Sequence, residues 1–475
     1  MTRRGVGPVV AGLLSMLVPG AGQLYAGARV RGWLLLTVSA VVVLVAALAA
    51  ARPLGVASAL VDRRLVAALV AANVALLAFR LFAVTDAWRH AGGASATAVG
   101  VLALLAAATA APHVAAAYVT VRGHTLLETV FAEDEPGDVL ATRDGLFLEE
   151  RLRDPTPLGP APLPRSKPLR SSREILAGGT EVAGPPWVTV LLLGSDAGPD
   201  QWGTRTDTVI VAALQRETGR AAAFGIPRNL VEMPLGGEAA RELRRFRDPL
   251  NGLYAFARTR PELFPGGRDA GATALKQTVS RLLGIRVDYY ALVDLNGFAE
   301  LVDVLGGVEI RVKERLVDEV TRPRLGVPKP RIDVRPGRTY RFDGMTALAY
   351  VRSRKASTDY ARMARQRCFL SAMAEQLDVV RVLRNFDWFA RTVEETVETD
   401  VPLRRLPDLV RLVAQLDPQQ TFTEGFDPRY FARRRAADRY PIPDVAKIRA
   451  AVRDTILSPR TALEQREIEP VARAC

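Results

Sequence analysis

Charged residues stand beside three short apolar runs in the middle of the chain, and their types suit anions and metal. Asp196 ends the first run, Asp207 follows Arg205 at the start of the second, and Arg228 closes the third. Apolar runs of this length between turn residues are typical of buried strands. Within a strand, Arg205 and Asp207 would face the same side. We therefore predict a buried sheet that delivers these side chains to one edge.

A second group of polar side chains is predicted on a helix that begins after Thr358. Asp359, Arg362 and Gln366 stand at i, i+3 and i+7, so they form one polar stripe, with Arg365 slightly to the side. An arginine-rich helix is more often a solvated face than a binding site. The recurrence of arginine and aspartate in separate segments of an apolar frame favours the binding site.

Arg352 and Arg354 lie where the helix before that one should end. With the residues above, they bring the set to six guanidinium groups and three carboxylates. Guanidinium groups bind phosphate oxygens in a bidentate manner. Carboxylates beside phosphates usually hold Mg²⁺ or Mn²⁺, which prefer oxygen ligands. Together these groups predict phosphoryl-transfer chemistry, in which positioning and charge neutralisation do most of the catalysis.

Composition narrows the class of protein. The net charge of +13 over 475 residues predicts an anionic partner such as lipid headgroups or phosphates, and no motif indicates nucleic acid. His90, His113 and His124 all lie in or beside the apolar N-terminal part, which excludes a Ser-His-Asp triad or a zinc site in the rest. Cys368 and Cys475 leave two alternatives open, one disulfide or two thiols.

Residues 1–121 predict a membrane anchor. A full span needs about 20 apolar residues, and three stretches meet this requirement: 32–50, 65–84 and 97–121. Residues 8–26 are apolar but broken at Pro19-Gly20, so we expect an interfacial or re-entrant segment there, although a further span stays open. The positive-inside rule then places everything after about residue 122 outside the cytoplasm. Arg63 and Arg64 fall on the outer side and count against this orientation.

The remaining chain predicts three regions. Residues 122–185 are a proline-rich extracytoplasmic linker, 186–416 form the catalytic domain, and 417–475 form a C-terminal extension. The domain is expected to be α/β (α+β), with a mixed central sheet flanked by helices. Helical spacing predicts a helix over 296–305, and N-cap residues predict one from Asp343 through Tyr350 and a longer one from Asp359 into the 380s.

Several motifs in this domain resemble the LytR-CpsA-Psr (LCP) family of cell-wall glycopolymer transferases over about 187–376. They are Leu193-Gly-Ser-Asp196, Arg205-Thr-Asp207-Thr, Gly225-Ile-Pro-Arg228, Phe298-x-x-Leu-Val-Asp303-x-Leu-Gly-Gly307-Val, Ala347-Leu-Ala-Tyr-Val-Arg-Ser-Arg354 and Asp359-x-x-Arg362-x-x-Arg365-Gln366. The resemblance implies a multi-pass cell-membrane enzyme with an extracytoplasmic domain. It would move a glycopolymer from a polyprenyl-pyrophosphate carrier to a peptidoglycan hydroxyl with Mg²⁺, leaving a phosphodiester link.

The resemblance also implies roles for individual residues. The pyrophosphate would be bound by Arg205, Arg228, Arg352, Arg354, Arg362, Arg365 and Gln366. The metal would be served by Asp196, Asp207 and Asp359, with Asp207 as the coordinating ligand, and the catalytic group would comprise Asp196, Asp207, Arg205 and Arg228. The general base is not assigned.

Three departures from the family pattern stand out. Asn229 replaces a frequent aspartate, and Pro249 replaces a usual lysine two residues before Asn251, with Arg247 nearby. The family commonly has one span, whereas this chain has at least three. Two alternatives remain: a polyprenyl-pyrophosphate hydrolase, and a non-catalytic factor that binds lipid-linked glycopolymer. We also expect the helix over 298–305 and an apolar sheet to enclose a space for the lipid.

Overall fold

The computed structural model describes residues 6–50, 61–93, 96–132, 187–196, 204–319, 331–353, 358–376, 379–416, 420–435 and 439–457. Most of the predicted linker lies outside these residues, as do Arg354 and Cys475. The chain divides into two units. The first takes in the N-terminal helices together with 383–394 and 401–411, and the second holds the other described residues.

The N-terminal part is helical. Its helices are α1 (Val6–Leu17), α2 (Ala21–Tyr25), α3 (Arg29–Ala50), α4 (Arg63–His90) and α5 (Ala96–Val130). Helices α3, α4 and α5 are each long and apolar enough to cross a membrane, at the three places that the sequence predicted. The last of them runs nine residues beyond the predicted end at residue 121.

Residues 8–26 do not form one continuous helix. Gly20, with φ +105°, separates α1 from α2 because its left-handed conformation ends the helical path. The side chain of Gln23 donates to the backbone oxygen of Ala83 at 2.7 Å. The guanidinium of Arg80 donates to the backbone oxygen of Met16 at 2.6 Å and so satisfies a carbonyl at the end of α1. The segment is therefore a helical hairpin held against the second half of α4.

The second unit begins with strands and short helices. They are β1 (Trp187–Ser195), β2 (Thr206–Gln215), β3 (Ala221–Gly225), β4 (Met233–Pro234), α6 (Gly237–Leu243), β5 (Arg245–Phe246), α7 (Leu253–Thr259), α8 (Ala270–Leu283) and β6 (Tyr289–Asp294). The chain continues through α9 (Leu295–Val304), β7 (Val308–Arg311), β8 (Leu316–Glu319), β9 (Arg331–Val334), β10 (Thr339–Phe342), α10 (Gly344–Arg352) and α11 (Asp359–Glu375). The three apolar runs of the sequence are thus the strands β1, β2 and β3.

The C-terminal elements alternate between helices and short strands. They are α12 (Val379–Arg384), α13 (Phe386–Thr396), β11 (Val397–Thr399), α14 (Leu406–Ala414), β12 (Thr421–Gly425), β13 (Phe431–Arg434), β14 (Pro441–Pro443) and α15 (Val445–Leu457). Strand β12 belongs to the central sheet, and Ile448, Val452 and Ile456 of α15 are buried in the main core. Residues beyond position 416 therefore complete the sheet and the core.

The central sheet is mixed, as the sequence predicted. Its six strands stand in the order β11-β6-β1-β2-β3-β12, with β1 parallel to β6, β3 parallel to β12 and the other neighbours antiparallel. Alternation along β1 and β6 divides the sheet into two faces. Leu191 and Leu292 are buried in the main core, whereas Leu192 and Ala291 point to the opposite face. That opposite face lies under α9, α10 and α11.

Helix caps set the starts of the three helices over this face. Asp294 accepts from Gly297 N, Asp343 accepts from Thr346 N, and Thr358 accepts from Ala361 N. The prediction that the last helix continues into the 380s is wrong, since α11 ends at Glu375. Gln376 is the C-cap of α11, and its side-chain amide exchanges two hydrogen bonds with the backbone of Glu309, each of 2.8 Å.

Cys368 lies in the smaller core cluster between α11 and the β7–β10 region. It is 4% exposed and takes part in a disulfide, so it is not a thiol. Cys475 lies outside the described residues.

Candidate active site

A cavity of about 480 Å³ lies between the free face of the sheet and helices α9, α10 and α11. Most of its lining is apolar: Leu192, Leu193, Ala291, Val293, Leu295, Phe298, Leu301, Leu348, Val351, Phe369, Leu370 and Met373. Phe298 and Leu301 come from the helix that the sequence predicted as a wall of a lipid space. The predicted apolar space is therefore present, and the region is not filled by side chains.

Polar groups form part of the same lining and are called here the charged end of the cavity. They are Asp196, Asp207, Asp294, Asp318, Arg228, Arg352, Arg362, Ser353 and Gln366. Six of the ten site residues predicted from the sequence are in this set. A cavity with a long apolar wall and a cluster of guanidinium and carboxylate groups suits an amphiphile with an anionic head.

Asp207 owes its position to a β-bulge. Gly194 of β1 pairs with Thr208 and Ser195 pairs with Thr206, so Asp207 is the extra residue of β2. A bulge re-aims one side chain relative to the regular alternation. The sequence prediction that Arg205 and Asp207 share one face of a strand is wrong. The strand β2 begins at Thr206, so Arg205 lies outside it, and Asp207 is the bulged residue.

The carboxylate of Asp207 is held on both oxygens. Arg228 contacts one oxygen as an ion pair, and Asn251 Nδ2 donates to the other at 3.1 Å. Burial alone would raise the pKa of Asp207, but Arg228, Asn251 and Arg362 outweigh it and hold the pKa below its ordinary value. Asp207 is therefore a charged group of low basicity.

Arg228 reaches the charged end from the turn that follows β3. The backbone oxygen of Arg228 accepts from Asn251 N at 2.9 Å, which fixes the loop that carries it. Its Nε lies 3.9 Å from Asp359 Oδ1 on α11, in addition to the ion pair with Asp207. The guanidinium thus lies between two carboxylates from distant segments.

Arg362 is the most enclosed guanidinium of the cluster, with 3% of the residue exposed. Its Nε and Nη2 donate to Asp359 Oδ1 at 3.0 and 2.8 Å, and Nη1 donates to the backbone oxygen of Asp207 at 3.2 Å. Burial lowers the pKa of Arg362, an effect that Asp359 opposes. This arginine joins the stripe on α11 to the bulge of β2.

Asp196 and Arg205 are joined through the backbone. Arg205 N donates to Asp196 Oδ1 at 2.8 Å, and Asp196 N donates to the backbone oxygen of Arg205 at 3.0 Å. Asp196 lines the cavity, whereas Arg205 is exposed and is not among the lining residues. The structure thus gives the Arg205 backbone, and not its guanidinium, a contact in the site.

Arg365 lies outside the cavity lining. Its Nε and Nη2 donate to the backbone oxygens of Tyr350 and Ser353 at 3.2 and 2.5 Å, so it holds the C-terminal end of α10. Gln366 donates to the backbone oxygen of Val351 at 3.3 Å and also lines the cavity.

The two other arginines predicted near the end of α10 differ in what is known of them. Arg352 lines the cavity, and Arg354 lies outside the described residues.

Two lining carboxylates were not predicted from the sequence. Asp318, on β8, accepts from the hydroxyl of Ser353 at 2.5 Å, and Asp294 caps α9. The hairpin of β8 and β9 brings Asp318 over the cavity, and no local signal in the sequence marks that fold. The sequence predicts no role for Asn251, whose contact with Asp207 joins segments that are 44 positions apart.

The charged end offers carboxylate oxygens, the ligands that a magnesium ion prefers. Among the residues that the structure describes, no group of three His, Cys, Asp or Glu side chains is placed to hold a metal by itself. Mg²⁺ bound beside phosphates needs only one or two carboxylates, with phosphate oxygens and water as the other ligands. Asp207 and Asp196, both lining the cavity, fit that smaller requirement.

Comparison with known proteins agrees with this arrangement. The model described as the LytR_cpsA_psr family matches residues 180–423, just over half of the chain. A probable cell wall biosynthesis protein LcpB of Corynebacterium glutamicum is 33% identical over 210 residues, covering 41% of this chain and 43% of that protein. The polyisoprenyl-teichoic acid–peptidoglycan teichoic acid transferase TagU of Halalkalibacterium halodurans is 27% identical over 217 residues, covering 45% and 61%.

Among solved structures, Bacillus subtilis TagV is similar with a TM-score of 0.42 and 22% identity, covering 56% of this chain and 96% of that one. The chain spans about half the length of the curated relatives it matches. The family match begins before β1 and ends within β12, and it therefore includes every described residue that lines the cavity. The chain belongs to the LytR-CpsA-Psr family.

Proposed function

We propose that this protein is a membrane-anchored phosphotransferase that moves a glycopolymer from a polyprenyl-pyrophosphate carrier to a hydroxyl of peptidoglycan. The observation that carries the proposal is the apolar cavity whose charged end holds Arg228, Arg352 and Arg362. A polyprenyl chain suits the apolar part, and a diphosphate suits the guanidinium groups. The name of the TagU relative, a teichoic acid–peptidoglycan transferase, supports the same class of reaction.

The charges around the cavity support a divalent cation as cofactor. The lining contains four carboxylates (Asp196, Asp207, Asp294 and Asp318) and three guanidinium groups (Arg228, Arg352 and Arg362). These lining side chains carry one more negative than positive charge, and a diphosphate would add further negative charge. We therefore propose Mg²⁺ or Mn²⁺ bound by Asp207 and Asp196 together with phosphate oxygens; when bound, it would neutralise charge on the phosphates.

At phosphorus the reaction forms one bond and breaks one, and the acceptor hydroxyl also loses its proton, which passes to the departing polyprenyl phosphate or to solvent. The acceptor oxygen bonds to the phosphorus that carries the glycopolymer, and the bond from that phosphorus to the bridging oxygen breaks. Polyprenyl phosphate leaves, and a phosphodiester joins glycopolymer and peptidoglycan. Arg228 and Arg362 would stabilise the charge that grows on the phosphate oxygens. Asp207 acts as a charge partner, because its low pKa makes it a poor base near neutral pH.

The membrane part would hold the enzyme where both substrates meet. Helices α3, α4 and α5 are long and apolar enough for three crossings. Under the positive-inside rule, the arginines before α3 and between α4 and α5 favour an orientation with the cavity-containing unit outside the cytoplasm. This orientation is part of the proposal.

The test uses the full-length protein in vesicles, a polyprenyl-pyrophosphate-linked glycopolymer and peptidoglycan fragments. We expect a phosphodiester-linked product with the wild type and a loss of about 100-fold or more with Arg228→Ala. Arg241→Ala is the control, because the side chain of Arg241 is 78% exposed on α6. Phosphate release at the same rate without acceptor would favour a hydrolase. Full activity of both Arg228→Ala and Asp207→Ala would favour a non-catalytic binding factor.

A further inference from the structure

A segment from the C-terminal half of the chain is fastened to the last membrane-crossing helix. Arg122 Nη1 and Nη2, on α5, donate to the two carboxylate oxygens of Glu394 at 2.6 and 2.5 Å, and Tyr118 Oη donates to Asp387 Oδ1 at 2.6 Å. The bidentate geometry is the strong form of an arginine–carboxylate pair. Both acceptors belong to α13, so this helix lies directly against α5.

A second attachment follows a few residues later. Ala132 N donates to the backbone oxygen of Val401 at 2.9 Å, and Leu403 N donates to the backbone oxygen of Ala132 at 2.8 Å. Residues 132 and 402 form a parallel β-bridge. The two chain segments therefore stay side by side from Tyr118 to Ala132, two residues beyond the end of α5.

The height of α13 relative to a bilayer follows from α5. The hydrocarbon core is about 30 Å thick, which a helix crosses in about 20 residues at about 1.5 Å each. Counting from Val99, where the apolar span begins, this distance ends near Tyr118. The first Asp, Glu, Lys or Arg of α5 is Arg122. Tyr118 and its partner Asp387 therefore lie at the level where lipid headgroups meet acyl chains.

Trp388 follows Asp387 directly and is 43% exposed, an unusual exposure for so large an apolar side chain. Arg391, one turn later on the same helix, is also exposed. Asp387 and Glu394 are engaged with α5. The side of α13 that Trp388 occupies also carries the exposed Arg391 and, two turns after Trp388, the exposed Glu395. Tryptophan concentrates at membrane interfaces, and arginine there binds anionic headgroups.

We propose that α13 is an interfacial helix whose Trp388 and Arg391 contact the lipid headgroups of the bilayer that α5 crosses. The partner is a lipid surface, with its apolar–polar boundary at Trp388. This inference rests on the membrane anchoring in the proposed function, but not on the transferase chemistry. A segment that follows α11 in the sequence would thus contact the membrane in addition to the N-terminal helices.

The experiment measures tryptophan fluorescence of the full-length protein in phosphatidylcholine–phosphatidylglycerol vesicles with and without brominated acyl chains. The fluorescence of one tryptophan is obtained as the fluorescence of the wild type minus that of the variant in which this tryptophan is replaced by phenylalanine. For Trp388→Phe we expect a contribution that falls about twofold on bromination, because an interfacial ring lies within reach of the upper acyl chain. Trp33→Phe is the positive control, since Trp33 is 65% exposed on α3. Trp187→Phe is the negative control, since Trp187 packs against the main core.

The outcomes separate two claims: that α13 lies at the membrane interface, and that the N-terminal helices anchor the chain in a membrane. Quenching of Trp33 and Trp388 without quenching of Trp187 supports the proposal. Quenching of Trp33 alone overturns the interfacial placement of α13 and leaves the anchor intact. Equal quenching of all three also overturns it, because the bromine would then report no specific contact. Absence of quenching at Trp33 would refute the membrane anchor itself, whatever the transferase assay shows.

Discussion

Arg362 Nη1 lies 3.2 Å from the backbone carbonyl oxygen of Asp207, joining α11 to the bulge of β2 across 155 positions of sequence. Arg362 also donates twice to Asp359, so one buried guanidinium fixes the two segments against each other. The charged end of the cavity is therefore preorganised before a substrate binds. Preorganised charge is the main way in which a protein accelerates phosphoryl transfer.

Arg362→Lys is expected to abolish most of the proposed transferase activity while the protein stays folded. A lysine keeps the charge but presents one ammonium group in place of the planar fork that contacts Asp359 and the Asp207 backbone together. We expect kcat/KM to fall about 100-fold, a loss typical of removing one stabilising donor. Arg241→Lys, on the exposed side of α6, should match the wild type. Wild-type kcat/KM in Arg362→Lys would contradict this role.

Filling the cavity should weaken binding of a long-chain donor. Ala291→Phe adds a ring on the face of β6 that lines the cavity, next to the space that Phe298 and Leu301 cover. We expect KM for a polyprenyl donor to rise about tenfold, the effect of about 1.4 kcal/mol of lost binding energy. A donor analogue with a short isoprenoid chain is the control and should keep its KM. An equal rise for both donors would place the lipid elsewhere.

Arg365→Met tests a structural role against the phosphate-binding role that the family resemblance implies. Arg365 donates to the backbone oxygens of Tyr350 and Ser353, and burial lowers its pKa. We expect the free energy of unfolding to fall by about 2 kcal/mol, as for lost hydrogen bonds to a charged donor. Donor affinity at a temperature where the variant is folded should change by less than about threefold. A large loss of donor affinity with unchanged stability would instead support direct phosphate binding.

Lys276→Met should make stability depend on pH in a defined direction. Lys276 Nζ contacts Asp400 Oδ2 at 2.5 Å, and Asp400 is 4% exposed. Burial already raises the pKa of Asp400 above its ordinary value, and Lys276 opposes that rise. Removing Lys276 raises the pKa further, so stability is kept where Asp400 is protonated and lost as pH rises through the folded pKa.

The measurement is the free energy of unfolding of Lys276→Met and wild type, from denaturant titration between pH 4 and pH 8, a window that starts near the ordinary pKa of aspartate, about 3.9. The difference between the two should widen with rising pH and reach about 3–5 kcal/mol, the usual loss when one partner of a buried pair is removed. Lys313→Met, at an exposed position, is the control. A difference that is constant with pH would show that Asp400 does not titrate in this window.

Gly344→Ala should destabilise the helices that cover the cavity. A Cβ atom at Gly344 would lie 2.1 Å from the backbone oxygen of Ala299, so α9 and α10 would have to separate. We expect a loss of about 1–3 kcal/mol, the range for overpacking. Gly252→Ala is a matched control, because a Cβ there meets nothing within 4 Å and its φ is negative. Equal unfolding temperatures for both variants would contradict the close approach.

Local patterns in the sequence predict the three strands, the three long apolar helices and the two helix starts that follow. The apolar runs predicted β1, β2 and β3, the hydrophobic stretches predicted α3, α4 and α5, and the capping residues Asp343 and Thr358 predicted where two helices start. These features depend on residues within one helical turn or one strand, so the local order of residue types is sufficient to predict them. The charges that would gather at the cavity were predictable for the same reason, as recurring arginine and aspartate beside apolar runs.

Other features depend on contacts between distant segments. The bulge at Asp207, which contacts Arg228, arises from the pairing of β2 with β1, and Arg205 lies just before β2 begins. Arg365 was assigned to phosphate with Arg362, although its hydrogen bonds go to the end of α10.

By itself, the sequence determined which residue types could bind a diphosphate and which segments could cross a membrane. Only the tertiary structure decided which of those side chains meet at the cavity. The physical reason is that a guanidinium binds the nearest available oxygen, whether that oxygen belongs to a ligand, a carboxylate or the backbone. Arg228 meets a carboxylate at the cavity, whereas Arg365, which is not among the lining residues, meets the backbone carbonyls of Tyr350 and Ser353.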